Sequence, residues 1–241
     1  MDLGIEGQRI VITGGTRGIG EATALTLAEL GAQVFVTYRA DEQAAEVVRK
    51  QLAERGDGHH VMRADVSDPD AVTGLAEEVS RHLGGVDVLV NNAGVDGNRS
   101  FESLDEQEWE RVIAANLAGP YRVTRALMDN LVEGASVINI GAAIATRGRA
   151  GRVHHTASKA GLHGMTRSLS KELGPRGIRV NTLAPGIVPA GDLGPIAAHL
   201  SSLTAMGRLG EPDDVTSVVV FLAGRWSSYI SGATVTVDGG I

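Results

Sequence analysis

The stretch "TGGTRGIG", residues 13–20, decides the fold. It follows a short β-rich run, "RIVITG" at 9–14, and leads into "GEATALTLAELG" at 20–31, an amphipathic helix closed by Gly31. A strand, a glycine turn and a helix in that order let backbone pass close to a pyrophosphate. The helix N-terminus then supplies free N–H groups and the positive end of its dipole. A glycine-rich run is a weak signal by itself, and the strand–turn–helix setting is what raises it. The alternative is a tight βα turn with no ligand.

The alternation continues along the chain. "AQVFVTY" (32–38) reads as a second strand and "DEQAAEVVRKQLAERG" (41–56) as a second helix, with Asp41 as N-cap and Gly56 as C-cap. "HHVMRADV" (59–66) and "VDVLVNNAG" (86–94) read as strands three and four, with a helix from about Asp70 to His82 between them. A long helix is predicted from about Glu106 to Leu131, then "ASVINIG" (135–141) as strand five. A helix from near His154 to about Leu173, strand six in "IRVNTLAP" (178–185), a helix in "EPDDVTSVVVFLAG" (211–224) and a last strand in "ATVTVDGG" (233–240) complete the series. Alternating β and α predicts an α/β doubly wound parallel sheet covered on both faces, a Rossmann fold, as a single domain over 1–241. The segment 187–206 has little strand pattern and several Gly and Pro, and it reads as a loop with a short helix, a substrate lid within that domain.

The chain has 241 residues and no cysteine, which excludes disulfides, thiolate nucleophiles and cysteine-ligated zinc. The formal net charge is −7 with acids and bases interspersed, so no nucleic-acid partner is expected. No apolar run reaches the ~18–20 residues of a membrane span. The opening "MDLGIEGQR" lacks the pattern of a signal peptide. We expect a cytoplasmic protein with no membrane partner.

Cofactor choice is read at the end of strand two. An adenosine 2′-OH calls for an acidic acceptor there. "VTYRAD" (36–41) instead offers Tyr38 and Arg39, and Arg17 lies inside the glycine loop. Two arginines flanking one pocket suit a 2′-phosphate, which predicts NADP(H); the alternative is a pair of solvated surface arginines. Asp41 is read as too far along to alter this.

With these motifs in place, the chain resembles the short-chain dehydrogenase/reductase family over essentially all of its length, and within it the β-ketoacyl-carrier-protein reductase branch. "TGGTRGIG" matches the cofactor loop, implying contacts from Gly14, Thr16, Arg17, Gly18, Ile19 and Gly20. "ADVSD" (64–68) implies Asp65 and Val66 beside the adenine, and "NNAG" (91–94) implies Asn92, Ala93 and Gly94. "NLAGPYRVTRA" from Asn116, "ASKAGLHGMTRSLSKEL" (157–173), "IRVNTLAPG" and the tail "GRLGEPDDV…YISGATVTVDGG" match further, and the cofactor contacts extend to Pro185, Gly186 and Val188.

The resemblance implies chemistry by Asn, Ser, Tyr and Lys. The tyrosine exchanges the proton of the substrate hydroxyl, the lysine holds the ribose and lowers the tyrosine pKa, the serine bonds the substrate oxygen, and the asparagine orders a relay water. Asn116 and Lys159 are present. In "VINIGAAIA" Ala142 falls at the serine position, in "VHHTASKAG" (153–161) His155 falls at the tyrosine position, and Ala190 replaces a threonine expected near the nicotinamide amide. A positioned acid is worth ~10²–10⁴ in rate and an oxyanion donor ~10²–10³. Histidine can act as acid or base near neutrality. Lys159 one turn away pushes its pKa down, and the imidazole reaches less far than a phenol.

Four readings follow. The chain is a catalytically degenerate subunit of a heterotetramer with an active paralogue, or a homotetrameric NADPH-dependent ketoreductase that uses His155 in place of Tyr. Less favoured are a redox-free dehydratase or cyclase and a nucleotide-responsive regulator. The substrate class is a small-molecule or carrier-protein-bound carbonyl compound. His154, Thr156, Thr146 and Arg152 read as loop or helix-start residues and His163 as packed or exposed. His59, His60 and His199 form no evident ligand set with His155, so no metal is expected. The pairs Asp213–Asp214 and Glu77–Glu78 read as helix charges.

Overall fold

The computed structural model describes residues 2–241. Among these residues seven strands form one parallel sheet in the order β3-β2-β1-β4-β5-β6-β7. They are β1 (Arg9–Ile12), β2 (Gln33–Tyr38), β3 (His60–Arg63), β4 (Val86–Asn91), β5 (Leu131–Ile140), β6 (Arg179–Pro185) and β7 (Thr234–Val237). The helices are α1 (Gly18–Glu29), α2 (Glu42–Ala53), α3 (Pro69–Leu83), α4 (Glu106–Ile113), α5 (Gly119–Ala126), α6 (Ile144–Arg147), α7 (Val153–Leu173), α8 (Ile196–Ser202) and α9 (Pro212–Ala223).

The central strands are apolar on both sides because both sides are covered. Successive residues of β1 go opposite ways: Ile10 and Ile12 pack with Leu27 of α1 and Val215 and Val219 of α9. Val11 packs with Leu75 and Val79 of α3 and Val123 of α5. Val34 and Val36 against Phe35, and Val88 and Val90 against Leu89, divide the same way. The strand period of two thus builds two cores from one sheet. Asp41 caps α2 as read, accepting from the Ala44 N–H at 3.0 Å, but α2 ends at Ala53 with Glu54 as its C-cap, short of the expected Gly56; Gly84 ends α3 in the left-handed region.

One predicted element is corrected. The helix expected over 106–131 is three pieces: α4, a π-helical turn at Ala114–Ala118, and α5, while Leu131 already belongs to β5. The reason lies in "NLAGPY". Pro120 has no N–H to give to the Asn116 carbonyl, and the Gly119 N–H reaches back five residues to the Ala114 carbonyl. β5 is also longer than the predicted 135–141, and α3 runs one residue past each predicted end.

A polar ladder crosses one core and fixes α7 on the sheet. Asn91 Nδ2 donates to Thr124 Oγ1 at 3.0 Å and to Asn139 Oδ1 at 2.9 Å. Asn139 Nδ2 donates to Thr166 Oγ1 at 2.9 Å, and Thr166 and Thr182 share a hydroxyl bond at 2.8 Å. These groups are fully buried or nearly so, which makes each bond costly to break.

Candidate functional site

The strand order reverses between β1 and β4, and a crevice opens at their carboxyl ends, the usual ligand position in such a sheet. A groove of about 510 Å³ lies there. Gly14, Thr16, Arg17 and Gly18 line one wall and Asn92, Ala93, Gly94 and Val95 the other. Tyr38 and Arg39 after β2, with Ala64, Asp65 and Val66 after β3, line it too, as do Asp96, Ala115 and Ala190.

The glycines in the loop have separate reasons. Gly18 has φ of 52° with open space in front of it, leaving room for a ligand at the start of α1. Arg17 precedes that helix without a side-chain cap, so the first-turn N–H groups face an anion site unshielded. Gly20 is needed for packing: a Cβ there would overlap the Gly14 carbonyl and lie 2.5 Å from Asn92 Nδ2. That amide stitches the two walls together, donating to the Thr13 carbonyl at 3.1 Å and the Gly14 carbonyl at 2.8 Å. The loop is thus held in shape by protein contacts and keeps open space where a pyrophosphate fits.

Arg17 and Arg39 both line the groove, as the choice of a phosphorylated cofactor requires. The expectation that Asp41 stays out of the way is corrected: its Oδ2 lies 3.9 Å from Arg17 Nη1. The cause is Asp41's role as helix cap, which turns its carboxylate back toward the loop. Asp65 Oδ1 accepts from the Ser67 N–H at 2.9 Å and its hydroxyl at 2.7 Å, which fixes the turn after β3.

Other residues expected to touch the cofactor have these places in the fold. Ile19 packs against the core. The Pro185 carbonyl accepts from the Ala143 N–H at 2.8 Å and ties β6 to the segment after β5. Gly186 and Val188 line a second hollow of about 210 Å³, which also contains Arg208 and Asp214.

Beyond Gly94 the site becomes a buried cluster. Asn116 sits on the π-helical turn, fully buried. Its Oδ1 accepts from the Val95 N–H at 2.7 Å, and its Nδ2 donates to the Val95 carbonyl at 2.9 Å and to Ser158 Oγ at 3.3 Å. The amide therefore clamps the strand-four exit. Lys159 on α7 donates from Nζ to the Ile140 carbonyl at 2.8 Å, and burial pulls its pKa down to about 8. A Cβ on Gly94 would lie 3.0 Å from Asn116 Oδ1 and 3.5 Å from Lys159 Nζ, so the groove end and this pair adjoin.

His155, one turn before Lys159, has a side chain only 15% exposed. Its Nδ1 is buried without a hydrogen-bond partner and lies 3.7 Å from Asp96 Oδ1. Burial, followed by the charges of Lys159 and Arg152, lowers its pKa to about 4, and the Val95 backbone opposes this weakly. The ring is therefore neutral at pH 7. Ala142 stands just past the end of β5 with only a methyl group to offer, and its carbonyl accepts from the Ala145 N–H at 3.0 Å.

Asp96 and Ser158 are not singled out by the sequence, and His154 reads there only as a loop or helix-start residue. Asp96 pairs with Arg152, which carries more than the helix-start role expected of it. Ser158 Oγ donates to the His155 carbonyl at 2.8 Å and links α7 to Asn116. His154 is fully buried, with both ring nitrogens unpartnered and Nε2 3.6 Å from Glu108 Oε1. It packs so closely on Gly97 that a Cβ there would overlap the ring. No spacing marks these contacts, because they join α4, α7 and the loop after β4.

Residues 14–241 match the family described as Enoyl-(Acyl carrier protein) reductase. The chain is 35% identical over 246 residues to the 3-oxoacyl-[acyl-carrier-protein] reductase FabG of Vibrio cholerae serotype O1, covering 99% of each. A short-chain dehydrogenase/reductase from Serratia marcescens superposes with a TM-score of 0.94 at 34% identity, covering 98% of each chain. A short chain dehydrogenase from Burkholderia cenocepacia, solved in complex with NADP, does so with a TM-score of 0.94 at 35% identity, again over 98% of each. With the switch-point groove, glycine loop and strand-four clamp already found in one sheet, matches of this length establish that the chain belongs to the short-chain dehydrogenase/reductase family, among relatives of the 3-oxoacyl-carrier-protein reductases.

Proposed function

We propose that the protein binds NADP(H) and serves as a catalytically degenerate subunit of a ketoreductase assembly, paired with an active paralogue. The nucleotide half of the site is complete. The anion-ready start of α1 takes the pyrophosphate, Arg17 and Arg39 take the 2′-phosphate, and Asp65 flanks the adenine end. Bound NADP(H) supplies the hydride. The Burkholderia relative, solved with NADP, supports this choice.

The proton-transfer half is what has been lost. The single observation that carries the reading is the triad of Ala142, His155 and Lys159. Ala142 has no side-chain donor, and Lys159 Nζ is engaged by the Ile140 carbonyl. His155 is buried, uncharged and unpartnered at Nδ1. A neutral imidazole is a poor acid for a carbonyl oxygen, and a ring with pKa near 4 is a weak base for the reverse step. Asn116 and Lys159 keep structural work even without catalysis, which explains their retention.

Exposed apolar side chains support an assembly. Trp109, Tyr121 and Val153 project from α4, α5 and α7, and Phe221, Trp226 and Tyr229 from the C-terminal part. Those surfaces would form a tetramer in which the partner's site does the chemistry on a carrier-bound β-ketoacyl group. A native mass spectrum of the chain expressed with a 3-oxoacyl-reductase-like protein encoded beside it tests this: a mixed tetramer is expected, and two separate homo-oligomers would refute it.

One observation favours a second reading. Asp96 stands 3.7 Å from His155 Nδ1, where a small side-chain movement would let it fix the tautomer. In that reading the protein is a self-sufficient ketoreductase working through His155, and His155→Phe abolishes turnover while nucleotide binding persists.

A further inference from the structure

A second cluster of chemistry-bearing side chains lies at the far edge of the sheet, away from the groove. His60 belongs to β3, the edge strand, and Glu78 and His82 lie four residues apart on α3. That spacing puts both on one helix face, and α3 lies over the strand end that carries His60. The two imidazole rings stack with centroids 4.0 Å apart, and Phe35 packs at 4.8 Å on His60. His82 Nε2 is 3.2 Å from Glu78 Oε2. One donor atom from each of the three residues lies within 4.8 Å of the others.

We propose that His60, Glu78 and His82 form a binding site for a divalent transition-metal ion of the Zn²⁺ class, which pins β3 to α3. Two imidazole nitrogens and one carboxylate oxygen are a recognised zinc ligand set, with a water filling the fourth position. The nitrogen donors select against Mg²⁺ and Ca²⁺, which prefer oxygen. Bonds of ~2.0–2.2 Å place tetrahedral donors about 3.3 Å apart. The Glu78–His82 pair already meets that separation. The longest separation must close by roughly 1.5 Å, which side-chain rotation supplies.

Glu78 also pairs with Arg81, whose side chain is 65% exposed. Releasing an exposed arginine to water gives up little. His60 is held between Phe35 and His82, so one ligand is oriented before the ion arrives. No sequence spacing marks the full set, because Glu78 and His82 lie on α3 and His60 on β3, and they meet only in the fold.

The test is calorimetric titration of metal-stripped, tag-free protein with ZnCl₂, beside His82→Ala and Glu78→Gln. Both substituted positions are partly exposed, so these variants keep the fold even where His60→Ala does not. One Zn²⁺ per chain is expected, weakened at least about ten-fold in each variant and unchanged in His199→Ala, an exposed histidine elsewhere. CoCl₂ should give the visible absorption of a four-coordinate site in the wild type and not in His82→Ala. Absence of Zn²⁺ binding, or equal binding by wild type and His82→Ala, would overturn the assignment.

Discussion

Placing a serine at 142 and a tyrosine at 155 provides the most searching test of the proposed loss of proton transfer. The perturbation is Ala142→Ser combined with His155→Tyr. His155 is held to a pKa of about 4, so at pH 7 roughly one ring in a thousand carries the proton an acid needs. A positioned acid is worth ~10²–10⁴ and an oxyanion donor ~10²–10³. Together they amount to roughly 10⁴–10⁷ in rate, or about 5–10 kcal/mol of barrier. A tyrosine at 155 would sit one turn before Lys159, whose buried ammonium stabilises a phenolate, and a hydroxyl at 142 lies past β5, which already aligns Lys159 through Ile140. The assay is the loss of NADPH absorbance with a small β-ketoacyl thioester. The double variant is expected to exceed the wild-type chain by at least about a hundred-fold, allowing for imperfect placement. A folded, NADPH-binding double variant no faster than wild type would refute the argument that these two positions disable the site.

Other outcomes follow from the same geometry. Arg39→Ala should weaken NADPH roughly ten-fold or more and leave NADH unchanged, measured by fluorescence titration; equal loss for both would show that Arg39 does not read the 2′-phosphate. Gly20→Ala should abolish nucleotide binding, because its methyl group meets the Gly14 backbone carbonyl, which cannot swing aside, and an Asn92 amide already tied to Thr13 and Gly14; unimpaired binding would contradict the loop assignment. His155 also makes stability depend on pH. Its folded pKa lies below its ordinary 6.5, so the unfolded chain takes up a proton that the native ring refuses. Stability therefore falls as pH drops from about 6.5 toward 4. At about 1.4 kcal/mol per pH unit this contributes roughly 3 kcal/mol. Denaturant melts of His155→Gln should have a shallower acid slope over that window, and an identical slope would remove His155 as the cause.

The parts of the molecule legible in the sequence were those written in consecutive residues. "TGGTRGIG" between a strand and a helix specified the glycine loop, and period-two apolar runs such as "RIVI" and "QVFV" specified strands covered on both faces. Asp41 announced its cap. What stayed hidden depends on packing between elements. The break after Ile113 needed the π turn that Pro120 accompanies, and a helical apolar pattern runs through such a turn without a mark. Asp96 reached His155 only because the loop after β4 folds over the start of α7. Asn139 read as one polar residue in a strand, although it joins Asn91 to Thr166 across the core. Gly186 and Val188 follow β6 and line the neighbouring hollow with Arg208 and Asp214, a grouping no spacing marks.

The central claim is that the chain keeps a working nucleotide site and has lost its own proton donor. The most direct measurement is the rate of NADPH oxidation by the purified chain alone, at saturating NADPH and β-ketoacyl thioester, with nucleotide binding verified in the same sample. The account predicts bound NADPH and a rate indistinguishable from the protein-free control. Turnover by the chain alone, abolished by His155→Phe, would contradict it and make His155 the proton donor.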